Sequence, residues 1–249
     1  MKSNNRVNSF RFSPIFGRLA GAMNAVDLEP LTIETGNGGA VSALLTRSIR
    51  AKVCFVLAHG AGAGMSHPFI ATVAAGLAER GVTTLRYQFP YMEKGSKRPD
   101  APAVAHAAVR AAATAAARCC PGLPLIAGGK SFGGRMTSQA QAAAPLDAVR
   151  GLAFFGFPLH AAGKPSVDRA KHLADIQIPM LFLQGTRDSL AELSLLEPVV
   201  KSLKQRATLH VVQAADHSFH VPARSGRNNR EAMNEILDTF ADWAVAIEA

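Results

Sequence analysis

Gly129-Lys130-Ser131-Phe132-Gly133 sets a serine between small residues, with an apolar run ahead of it and a helical run behind. A serine at a strand-to-helix elbow is held in strained backbone geometry that exposes its hydroxyl, and the residues two before and two after must be small to avoid clashes. Gly129 and Gly133 meet that demand, and Gly134 adds room. The five-residue pattern recurs by chance, so its setting is what gives it weight; a plain glycine-rich turn is the alternative. Lys130-Ser131 also resembles the end of a phosphate-binding loop, but the glycine needed at 124 is Pro124, so that reading fails.

A serine hydroxyl is a poor nucleophile at neutral pH and needs a base that an acid orients. In this kind of architecture the chain order is nucleophile, acid, base. Asp188 follows an apolar run and Gly185, and His217 follows the last such run in Ala214-Ala215-Asp216-His217. Ser131, Asp188 and His217 are therefore the expected catalytic residues. Asp216 is the rival acid, but it adjoins His217 and would struggle to reach that ring; His220 is the rival base, and His217 is preferred as the first histidine after the strand. Charge developing on a carbonyl oxygen needs backbone N–H donors. Phe132 is expected to supply one, and Ala61, in the run His59-Gly60-Ala61-Gly62-Ala63-Gly64, the other. His59 is read as pinning that loop. Tyr91 and Lys130 are assigned to substrate binding; for residues 89–100 a solvated loop with salt bridges is the alternative.

These residues need a scaffold that brings them to one edge. Residues 31–35 and 41–46 flank Gly36, Gly38 and Gly39 and read as a hairpin. Apolar runs at 53–58, 82–87, 125–129, 152–157, 180–184 and 209–213 read as strands. Helical spacing occupies 68–80, 132–144, 192–203 and 230–247, and an Ala-rich helix runs from an Asp100 N-cap to about Cys119. Strands separated by helices imply a mostly parallel, doubly wound sheet with an antiparallel N-terminal hairpin at its edge. Only residues 158–178 lie between two of the strands, and a crossover helix takes part of them, so no cap domain is expected.

One domain, 27–249, is expected. Residues 1–26 read as a basic leader, disordered or translated from a start codon upstream of Met23. Lys2, Arg6, Arg11 and Arg18 all precede the first acid, Asp27, and the rest of the +9 formal charge is scattered without a basic stripe. That distribution argues against nucleic-acid binding. No run of about 18 apolar residues suggests a membrane span. Three cysteines, two of them adjacent, make no disulfide framework and point to a reducing, cytoplasmic setting. The eight histidines show no metal-ligand spacing, so neither a metal nor a cofactor is expected.

Over residues 30–249 the chain resembles the α/β-hydrolase superfamily, and within it the small dienelactone-hydrolase-like proteins related to the non-specific-lethal complex subunit and testis-expressed protein group. That closer likeness rests on His59–Gly62, the run Arg86-Tyr87-Gln88-Phe89-Pro90-Tyr91-Met92-Glu93, residues 129–135, and the Asp188 and His217 segments. The resemblance implies the fold and the triad positions. Dienelactone hydrolases proper carry a cysteine where Ser131 stands, so lactone cleavage is not carried over. The expectation is a serine hydrolase acting on a small ester or thioester; a catalytically silent hydrolase fold kept as a protein-interaction scaffold is the alternative. Oligomeric state is not legible.

Overall fold

The structure, a computed structural model, describes residues 27–36 and 39–247. The expectation for residues 1–26 lies outside the described residues, as does the tip of the N-terminal hairpin at 37–38. β1 (Asp27–Gly36) and β2 (Gly39–Arg47) pair antiparallel, and β2 pairs antiparallel with β4 (Val82–Tyr87). β3 (Val53–Ala58), β5 (Leu125–Lys130), β6 (Val149–Phe155), β7 (Met180–Gly185) and β8 (Ala207–Val212) complete an eight-stranded sheet in the order β1-β2-β4-β3-β5-β6-β7-β8. From β4 to β8 every pairing is parallel. The expected architecture, with its antiparallel hairpin, is the one observed.

β3, β4, β5 and β7 are buried along their whole length, as strands covered on both faces must be. Alternation along β3 feeds two cores. Phe55 and Leu57 join α1 (Pro68–Glu79) and α6 (Asn229–Ala246) through Val73, Leu77, Ile236 and Phe240. Val56 and Ala58 face the other way, toward α3 (Pro102–Cys119), which follows the single-turn α2 (Pro90–Glu93), and toward α4 (Phe132–Ala143) and α5 (Leu193–Ser202). β3 is flanked by β4 on one side and β5 on the other, so the strand order reverses there. Open α/β sheets bind ligands in the crevice outside the strand ends at such a reversal.

Two expectations change in detail. Asp100 does not cap α3. Pro102 is the first helical residue and holds Ala101 extended (φ −57°, ψ 147°), so Ala101 takes the cap position, and the Asp100 carboxylate instead accepts the Tyr91 N–H at 2.7 Å. The crossover from β6 to β7 carries no α-helix among the described residues; its ordered part is a 3₁₀ segment, Asp168–Asp175. α6 opens with a capping box between Asn228 and Glu231. No helix of the described residues is long and apolar enough to cross a membrane.

Candidate active site

β5 ends at Lys130, and Ser131 turns the chain into α4 with φ 50° and ψ −115°. A non-glycine residue there costs on the order of 1–3 kcal/mol, which the surrounding packing must impose. The packing is tight because the elbow nests against β3. A Cβ on Gly129 would stand 2.2 Å from the Ala58 carbonyl oxygen, and one on Gly133 would stand 2.5 Å from that of His59. No larger side chain fits at either position.

Ser131 Oγ lies 2.9 Å from His217 Nε2, and His217 Nδ1 lies 2.6 Å from Asp188 Oδ2. Asp188 sits in the turn after β7 with its carboxylate buried, and His217 follows β8, so three separate loops converge at one sheet edge. The Asp188 carboxylate also accepts the Leu190 N–H at 2.8 Å and an N–H of the Gln184 amide. Gln184 in turn accepts the Phe157 N–H through its own oxygen at 3.0 Å. A carboxylate with only acceptor capacity opposite Nδ1 assigns the proton to that nitrogen. Nε2 then carries the lone pair, directed at the serine hydroxyl.

The rival residues are occupied elsewhere. Asp216 Oδ1 accepts the N–H groups of Ser218 and His220 at 2.8 and 2.9 Å, which folds its own turn, and its other oxygen lies 3.8 Å from His220 Nδ1. The His220 side chain is exposed.

The loop after β3 is held by the run at residues 86–93. His59 is buried; its Nε2 accepts the Phe89 N–H at 3.1 Å, so its Nδ1–H donates to the Gly60 carbonyl at 2.7 Å. Burial holds its pKa below the ordinary histidine value, keeping the ring neutral. Tyr91 Oη accepts the Gly62 N–H at 2.9 Å, Gln88 Oε1 accepts the Met65 N–H at 2.8 Å, and Arg86 donates to the Met65 carbonyl at 3.3 Å. Glu93 fastens this run to β2 by accepting the Ser42 N–H at 2.6 Å. Ala61 and Phe132 border one cavity with Ser131, and among the described residues neither backbone N–H has an acceptor in the protein.

The structure moves two residues out of the substrate-binding role expected of them. Tyr91 is buried with its hydroxyl spent on Gly62, and it does not line the cavity. Lys130 points behind the histidine loop: its ammonium donates to the His217 carbonyl and lies 5.7 and 5.8 Å from the ring centres of Phe69 and Phe219. Alternation explains this, since consecutive residues at the end of β5 project to opposite faces and Ser131 takes the cavity side. Burial pulls the Lys130 pKa down to about 7, with the Asp188 and Asp216 carboxylates acting against it.

A family model described as an alpha/beta hydrolase domain matches residues 51–245. The chain belongs to the alpha/beta hydrolase family. Solved structures similar to this hydrolase-family chain include a dienelactone hydrolase from Anabaena variabilis, with 18% identity over 88% of this chain and 96% of that one and a TM-score of 0.70. Another is a member of the α/β serine hydrolases without lid from Xanthomonas campestris, with 21% identity, 88% and 95% coverage and a TM-score of 0.68. Est1E from Butyrivibrio proteoclasticus matches with 14% identity, 87% and 99% coverage and a TM-score of 0.66. At such identities the likeness speaks for the fold alone.

Sequence reasoning passed over several residues at this hydrolase fold's sheet edge. Gln184, the sole polar side chain of β7, left a signal as a buried polar interruption in an apolar run. Arg135 lies one helical turn beyond Ser131, a spacing that puts it on the same helix face. Arg169, from the crossover, joins the same cavity and had no local signal.

Proposed function

We propose that this chain is a serine hydrolase that cleaves a small ester or thioester through an acyl-enzyme on Ser131. The observation that carries the reading is the unbroken hydrogen-bonded line from Ser131 through His217 to the buried Asp188, with the serine at the wall of a half-open cavity of about 410 Å³. That volume falls at the lower end of the range for small-molecule sites, ~300–1,000 Å³.

In the acylation step the Ser131 hydroxyl gives its proton to His217 Nε2 as Oγ bonds to the carbonyl carbon. Negative charge gathers on the former carbonyl oxygen, and the free N–H groups of Phe132 and Ala61 are the donors for it. His217 then passes its proton to the leaving alkoxide or thiolate as the bond to carbon breaks. Water enters, loses a proton to Nε2 and attacks the acyl carbon; as the bond to Oγ breaks, Nε2 returns the proton to Oγ, releasing the acid and restoring Ser131 and the neutral histidine. Asp188 stays ionised, holding the tautomer and stabilising the imidazolium. The run at 86–93, which carries the resemblance to the non-specific-lethal subunit and testis-expressed protein branch, serves by fixing the loop that bears Ala61. The substrate is a small molecule rather than a nucleic acid, and the three cysteines, all free, suit a cytoplasmic setting.

A fluorophosphonate probe tests the reading. Native protein is expected to label at Ser131 alone and Ser131→Ala not at all, with hydrolysis found in a panel of short esters and thioesters. Native protein that neither labels nor turns over any of them would instead be the silent scaffold.

A further inference from the structure

The cavity beside Ser131 holds two guanidinium groups without anionic partners. Arg135 comes from the first turns of α4 and Arg169 from the 3₁₀ segment of the β6–β7 crossover, and both line the cavity with Ser131, Ala61 and Phe132. Among the described residues neither makes an ion pair or a side-chain hydrogen bond. Arg135 Nε is fully buried with no acceptor at all. A buried donor left unsatisfied costs roughly 1–3 kcal/mol, more for a charged group, so an anion entering the cavity would meet guanidinium charge that no protein group offsets.

The surroundings sharpen this. The nearest acid in sequence to Arg169, Asp168, pairs with Lys171 at 2.7 Å. Among the described residues Asp100 is the only carboxylate in the cavity wall, and it accepts the Tyr91 N–H at 2.7 Å. Two guanidiniums against one committed carboxylate leave the wall net positive. Burial and then the charge of Arg169 hold the Arg135 pKa below its ordinary value, as expected of like charges facing one space without an anion between them. Behind them His172 is pulled down to about 4, by burial first and then by Arg135. Its Nε2 lies 2.8 Å from Ser138 Oγ, and it stays neutral, adding no competing charge. Met136 and Leu190 give the rest of the wall an apolar character suited to a short carbon chain.

We infer that this site selects an ester whose far end carries a carboxylate, held by the paired guanidiniums of Arg135 and Arg169 while the ester carbonyl lies at Ser131. The planar fork of arginine matches a carboxylate in two parallel hydrogen bonds, which fixes direction as well as charge. A neutral ester of the same length fills the apolar wall and leaves both guanidiniums unpaired. The inference deepens the hydrolase reading above and rests on it for the identity of the bond cleaved.

Two measurements separate the inference from that reading. Titration calorimetry with the anilide of adipic acid, an uncleavable analogue, against N-phenylhexanamide tests the carboxylate site directly. At least tenfold tighter binding of the acidic amide is expected, with that preference falling at least tenfold in Arg135→Gln and in Arg169→Gln. Arg169→Gln, in the crossover rather than beside the nucleophile, serves if the Arg135 variant does not fold. Equal binding of the two amides, or a preference that survives both substitutions, overturns the inference. In parallel, monophenyl adipate should exceed phenyl hexanoate in kcat/KM. A selective amide titration with neither ester cleaved leaves the anion site standing and removes the hydrolase reading instead.

Discussion

At the scale of single residues the site is decided by which carboxylate holds the histidine. Asp188 keeps the proton on His217 Nδ1, whereas Asp216 spends one oxygen on the turn that carries the histidine. Asp188→Asn presents an amide in place of a pure acceptor and favours the wrong tautomer; turnover should fall ~10³–10⁴-fold. Asp216→Asn keeps one oxygen for the same N–H groups and should stay within about tenfold of native, far from the loss of a triad acid. Steady-state kinetics on the two variants decides the matter, and a larger loss at 216 would reverse the assignment. Lys130 makes a second residue-scale prediction. Its folded pKa of about 7 lies below that of an exposed lysine, so between roughly pH 7 and 10 the unfolded chain binds more protons than the native one. Stability from this group therefore rises with pH across that window, and the cost of burying the charge is fully present below it. Urea unfolding at pH 6.5 and 9.5 should show native protein gaining more stability with pH than Lys130→Met, which has no such proton to lose. Equal gains would mean that the ammonium is not desolvated.

At the scale of elements, the loop after β3 works because the segment after β4 clamps it. Tyr91→Phe removes the acceptor for the Gly62 N–H, one residue from Ala61, the proposed oxyanion donor. A neutral hydrogen bond contributes ~0.5–1.5 kcal/mol, so kcat should drop roughly 3–10-fold while KM changes less. An unchanged kcat would show that the loop needs no such brace. The sequence made the scaffold legible because buried strands write themselves as apolar runs and the elbow demands glycines at 129 and 133. The meeting of Ser131, Asp188 and His217 at one sheet edge was legible for the same reason: each lies within a few residues of the end of a recognisable strand. The clamp was visible as a motif but not as a mechanism, since its bonds join residues that are 21 to 51 positions apart, as Met65 to Arg86 and Ser42 to Glu93 are. Lys130 departs from its expected place because adjacency to Ser131 in sequence says nothing about which face of the sheet a side chain takes. The Asp100 cap failed for a local reason, Pro102 shifting the helix start by one residue. Arg169 was invisible, because no periodicity marks an irregular crossover.

For the whole molecule, the short β6–β7 crossover decides what kind of substrate the site can enclose. In this fold a cap that covers a long acyl chain would be inserted there, yet the crossover holds only an isolated bridge between Ala161 and Lys164 and the 3₁₀ segment Asp168–Asp175. That segment lies against α4 through buried Ala170 and Leu173, so it walls the cavity rather than roofing it. Burial of a chain contributes about 0.8 kcal/mol per methylene only where methylenes leave water. Within a half-open space of about 410 Å³ that gain stops after a few carbons, and the remainder of a longer chain projects into solvent. Among uncharged esters of one alcohol, kcat/KM should therefore rise over the first carbons, level off, and be lower for dodecanoyl than for acetyl or butyryl. Initial rates across an even-numbered acyl series measure this directly. A steady rise in kcat/KM beyond eight carbons would require apolar cover over the site that the crossover does not supply.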